Sequence, residues 1–95
     1  MLESFSIDTF APLTGSVFIM RANATNVLEL ELLQAESTAR TQNGRPFSLV
    51  FRGPRSPVAV QRIYQLEHAT LGTFDLFLVP IGPDERGMQY EAVFT

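Results

Sequence analysis

Cysteine is absent from these 95 residues. That excludes a disulfide framework, thiolate chemistry and every Cys-based zinc site. Lysine is absent too: all seven cations are arginines. Tryptophan is missing, and His68 is the only histidine, so a transition-metal site would rest on carboxylates, which suit zinc poorly. No apolar run approaches the roughly 20 residues that span a bilayer, and no membrane association is expected. The start, Met1-Leu2-Glu3-Ser4-Phe5, places an acid where a secretory signal carries cations, and the expectation is a cytoplasmic protein. On that reading the glycosylation pattern at Asn23-Ala24-Thr25 is a chance match. The six glycines show neither dinucleotide-binding, P-loop nor nucleophile-elbow spacing, so no cofactor is expected.

What is present is a globular composition. Apolar residues make up 45% of the chain and charged ones 18%, and eight of the ten aromatics are Phe. The length has room for one domain, residues 1–95, with its own core. A net charge of −3 disfavours nucleic acid or an anionic membrane as the main partner. The charge is also segregated: between Ser37 and Leu66 lie Arg40, Arg45, Arg52, Arg55 and Arg62 and not one acid, whereas all ten acids lie outside that stretch with only Arg21 and Arg86.

The apolar pattern is that of strands. Ser6, Asp8, Pro12 and Gly15 predict a short helical turn that packs Phe10 and Leu13 inward. Ser16–Arg21, with a continuous apolar centre, predicts a strand buried on both faces. From Val27 the period is two, with Leu28, Leu30 and Leu32 on one face and Glu29 and Glu31 on the other. Phe47, Leu49 and Phe51 make a second such face after a turn at Asn43-Gly44. Gly53–Pro57 predicts an exposed loop. Further strands are expected at Arg62–Ala69, Thr73–Pro80 and Met88–Phe94, the last two joined through Gly82–Gly87. About six antiparallel strands and one helical turn make an all-β sandwich or small barrel.

One hairpin can be set in register. With Thr70-Leu71-Gly72 as a three-residue loop, Ala69 faces Thr73, His68 faces Phe74 and Glu67 faces Asp75. Tyr64, Leu66 and His68 then share a buried face with Phe74, Leu76 and Leu78, and Phe77 and Val79 share the outer one with acids. Such a mixed outer face is a candidate contact surface. His68 reads as a neutral, hydrogen-bonded packing residue, since Glu67, its neighbour on the strand, points to the opposite side. Asp84-Glu85 reads as a solvated turn, and the arginines beside Phe47, Phe51 and Tyr64 do not make a stacking platform, because those aromatics belong to core faces.

Three segments, Tyr64-x-Leu-Glu-His68, Leu71-Gly-x-Phe-x-Leu-Phe-Leu-Val-Pro80-x-Gly82 and Tyr90-Glu-Ala-Val-Phe94, together with Phe10-x-x-Leu-x-Gly15-x-x-Phe18 and Phe47-Ser-Leu-Val-Phe-Arg-Gly-Pro54, resemble a family of short bacterial domains of unknown function. The resemblance implies association with phage-tail-like or tail-collar proteins and a structural or adaptor role, with no catalytic residues. The expected function is therefore non-enzymatic: a structural or protein-interaction module that binds a protein partner or copies of itself. Arg40, Arg45, Arg52, Arg55, Arg62, Phe77 and Val79 are its candidate surface. The alternative is a β domain that binds a small apolar ligand or an anion, the latter at Arg52 and Arg55.

Overall fold

Alternating side chains put one face of every strand in contact with oil and the other with water, and six such strands satisfy this by curling into a closed barrel. The computed structural model describes residues 5–23, 25–37, 47–56 and 58–94. Its strands are β1 (Val17–Arg21), β2 (Val27–Ser37), β3 (Phe47–Gly53), β4 (Arg62–His68), β5 (Gly72–Pro83) and β6 (Met88–Phe94), preceded by helix α1 (Ile7–Phe10) and a 3-10 turn at Ala11–Leu13. All pairings are antiparallel and the order around the barrel is β1-β2-β3-β6-β5-β4. Two three-stranded meanders are thus joined along two seams, β1 with β4 and β3 with β6. Among the described strands, closure leaves no sheet edge.

The interior is filled by the faces expected of β2 to β5, joined by one face of β1 and one of β6. Phe18, Met20, Leu30, Leu32, Phe47, Leu49, Phe51, Tyr64, Leu66, Phe74, Leu76, Leu78, Tyr90, Ala92 and Phe94 are buried, with Leu28 packed against them. One end is stoppered by α1. Phe10 is fully buried, and its ring lies 5.5 Å from Phe94, 6.1 Å from Phe47 and 6.2 Å from Phe74. The short helical segment is anchored to the barrel wall by Gly15 N–H donating to the Leu32 carbonyl and Leu32 N–H to the Ser16 carbonyl. The opposite end is crossed by the β3–β4 connection, which buries Ala59 and ties it down through its N–H to the Tyr90 hydroxyl (2.8 Å). The Tyr64 hydroxyl donates to the Val60 carbonyl (2.6 Å) beside it.

Closing so few strands requires sharp bending, and the two longest strands bend at bulges. The pairing of β2 with β3 slips between Leu32 and Gln34, and that of β5 with β6 slips between Pro80 and Gly82. The extra residues are Leu33 and Ile81. After Leu33 the inward phase changes from even to odd, so that Ala35 packs against the core while Gln34 and Glu36 are exposed. Pro80 is tolerated in the strand beside this irregularity, where a missing N–H costs least.

Of the sandwich and the small barrel expected, the structure is the barrel. Several other expectations are corrected. β1 is buried on one face only: Phe18 and Met20 are enclosed, Val17 is exposed and Ile19 half-buried, because a closed barrel has a single interior. The β4–β5 register is offset by two residues, with His68 opposite Gly72, Leu66 opposite Phe74 and Tyr64 opposite Leu76. Glu67 therefore faces Thr73, and Asp75 faces Gln65, which removes the expected like-charge pair. An offset of two leaves every side chain on its expected face, so burial could not discriminate between the registers. Gly53 is the buried last residue of β3 and not an exposed loop residue, although Arg55 and Ser56 beyond it are exposed. Asn43-Gly44 and Pro57 lie outside the described residues.

Candidate functional site

The described arginines of the arginine-rich stretch differ in what they contact. Arg40 and Arg45 lie outside the described residues. Arg52, near the end of β3, is turned to its own chain: its Nε and Nη2 donate to Asp84 Oδ2 at 2.8 and 2.6 Å, and Glu31 across the ladder is 3.7 Å away. Asp84 is the hub of the β5–β6 turn. Its Oδ1 accepts from the N–H groups of Arg86 and Gly87, and its Oδ2 also accepts from Gln89 Nε2. The Arg52 guanidinium first, and these donors with it, hold the Asp84 carboxyl well below the usual carboxylate range. An anion arriving at Arg52 would compete with an internal charge-assisted pair in which two donors share Asp84 Oδ2. Arg55 is different: one Nη2 donates to the Asp84 carbonyl at 2.7 Å, while the side chain remains exposed. Arg62, at the start of β4, is exposed and lies with its guanidinium carbon 5.3 Å from the Tyr64 ring centroid.

The outer wall of β4, β5 and β6 carries a row of large apolar side chains. Ile63 is paired with Phe77, and the β5–β6 register, which pairs Val79 with Glu91, sets Phe77 beside Val93 when carried two residues further. Ile63 is 63% exposed, Phe77 46% and Val93 57%. Val79, the second apolar residue expected on this face, is half-buried. Asp75 and Glu91 border the row, and neither side chain has a hydrogen bond or ion pair among the described residues. Phe77 was legible from strand period alone. Ile63 and Val93 belong to different strands, and only the pairing brings them to it.

Residues 5–94 match one family model, the domain of unknown function DUF6916. The chain belongs to this family. No curated protein and no solved structure matches it.

This DUF6916 barrel also brings together a pair that sequence reading missed. Fifty-two positions apart in sequence, Ser16 Oγ and His68 Nε2 are 3.0 Å apart, and the imidazole lies against Phe18 with ring centres 4.4 Å apart. The arrangement is not that of an activated nucleophile. His68 Nδ1 accepts from the Thr70 N–H (3.0 Å), which places the ring proton on Nε2, and Ser16 Oγ donates to the Leu13 carbonyl. A general base for Ser16 would need the opposite tautomer. The pair instead links the helical segment, β1 and the β4–β5 loop, so the packing role expected for His68 is carried with polar partners and not opposite Phe74.

At the crossed end of the barrel, Ala22, Leu28, Val58, Ala59 and Tyr64 line a cleft of about 380 Å³. Among the described residues, no group of three or more acidic, Cys or His side chains is placed to hold a metal ion, and no helix is long and apolar enough to cross a membrane.

Proposed function

We infer that this domain is a non-enzymatic protein-contact module and that the outer wall of β4–β5–β6 is its working surface. The observation that carries this reading is the row Ile63–Phe77–Val93. Three neighbouring strands each spend an outward position on a large apolar side chain, where solubility alone favours a polar one. Scattered exposed apolar residues need no explanation, but an aligned row bordered by unpaired acids has the make-up of a contact patch with a polar rim. An adaptor or repeated element of a larger assembly, such as a phage-tail-like one, is a natural use for such a module. The barrel interior offers no comparable purpose, since phenylalanine rings pack on one another through it.

The test is site-directed photo-crosslinking in the source cells. A photoreactive phenylalanine analogue at position 77 is expected to give a discrete protein adduct, while the same analogue at Asp8, on the helical cap, gives none. Absence of an adduct at position 77 would remove this reading. A second reading, a binder of a small apolar ligand, is favoured only by the cleft beside Tyr64, whose volume falls in the range of small-molecule pockets. That reading requires Ala59→Phe to abolish ligand binding while the crosslink at position 77 persists.

A further inference from the structure

The crossover that seals the barrel has a second side. Along it Ala59 points inward and is buried, while Val58 and Val60 on either side are 49% and 63% exposed. Arg55 precedes this pair and Arg62 follows it, both exposed. Arg55 gives one of its five N–H donors to Asp84 and Arg62 rests on the Tyr64 ring, so each keeps its charge and donors for another contact. The chain therefore displays two apolar patches of opposite polarity: valines bracketed by arginines on the crossover, and Ile63–Phe77–Val93 bordered by Asp75 and Glu91 on the wall.

We propose that the occupant of the β4–β5–β6 wall is the β3–β4 crossover of a second copy of this chain, in a head-to-tail contact. This rests on the protein-contact reading and names its partner. The argument is charge complementarity. Pairing two walls face to face would bring four acids together around the apolar row with no cation between them, whereas the crossover brings Arg55 and Arg62 to Asp75 and Glu91 while Val58 and Val60 cover Phe77. Because the two patches are different surfaces of one molecule, the contact is heterologous. Copies add in one direction, into a ring or a stack. Arg52 takes no part, being held by Asp84.

Sedimentation equilibrium on the intact domain, over a concentration series at low and high salt, reads the contact directly. Wild type is expected to gain mass with concentration at low salt and to lose most of that gain at high salt, where exposed charges are screened over a few ångströms. Phe77→Arg disables the wall, and the double variant Val58→Asp/Val60→Asp disables the crossover. Each is expected to weaken association by at least about tenfold. All three positions are exposed, and an unchanged circular-dichroism spectrum confirms the fold of each variant. Mixing the two variants is decisive: one intact wall and one intact crossover remain, so a 1:1 heterodimer forms and grows no further.

Three results overturn the proposal: a wild type that stays monomeric at millimolar concentration and low salt, assembly that survives the crossover variant, or a mixture that stays monomeric. The first, combined with a crosslink at position 77 to a different protein, would leave the contact-module reading standing. A crosslink to the chain itself supports both.

Discussion

Asp84 shows how much one side chain can organise. One carboxylate oxygen fixes the β5–β6 turn through two backbone N–H groups, and the other takes Arg52 from β3 and Gln89 from β6. Its carboxyl is held below its ordinary value of 3.8 chiefly by Arg52. A depressed folded-state value means that the stabilisation is fully present above the unfolded value and is lost as pH falls below it. Urea midpoints taken across a pH series are therefore expected to show wild type well above Asp84→Asn near neutrality. The gap should narrow once the pH drops through about 4, the ordinary aspartate range. A gap that stays constant down to acid unfolding would show that the turn, not the charge, carries the effect.

Turns and bulges decide how the strands meet. Gly87 closes the β5–β6 turn directly against the end of β3: a Cβ there would lie 2.1 Å from the Gly53 carbonyl oxygen, which is backbone and cannot move aside. At Gly53 the nearest obstacle is Leu30 Cδ2 at 2.7 Å, the far end of a side chain. Both alanine variants should lower stability, and Gly87→Ala by more, on the order of 3 kcal/mol or above, as overpacking against backbone does. Chemical denaturation of the two variants side by side checks the order. Equal losses would mean that the turn can shift away from β3. Neither constraint was legible in the sequence, where Gly87 is simply the end of a polar turn. Gly72 was legible as a left-handed position, and its φ of 81° agrees, but it stands at the start of β5 opposite His68 and not as the last residue of a three-residue loop.

The whole molecule is a tube closed along two seams and stoppered at both ends, and its stability depends on the stoppers. Phe10 touches rings from β1, β3, β5 and β6, so it joins both meanders. Phe10→Ala should cost about 3–5 kcal/mol, a large part of the 5–15 kcal/mol that a domain commonly has, and should open the barrel end to a hydrophobic dye. Phe77→Ser, at the same residue type on the outer wall, should fall within about 0.5 kcal/mol of wild type. If the two phenylalanines proved equally costly, the distinction between a filled interior and a contact surface would collapse.

Period-two alternation by itself determined the strand class, the inward faces of β2 up to its bulge and of β3, β4 and β5, and the inward aim of Phe10, because the hydrophobic effect acts on each side chain wherever its strand is placed. It also marked Phe77 as outward. Tertiary structure alone decided closure into a barrel, the two-residue offset of β4 against β5 and the bulges at Leu33 and Ile81. Each of these leaves the local alternation intact or displaces it by one extra residue, so nothing along the chain records it. The same holds for function. Arg52 looked free because its partner, Asp84, lies 32 positions away in another meander. Ile63, Phe77 and Val93 became one surface only when three strands paired, since adjacency on a folded wall is set by register and not by distance along the sequence.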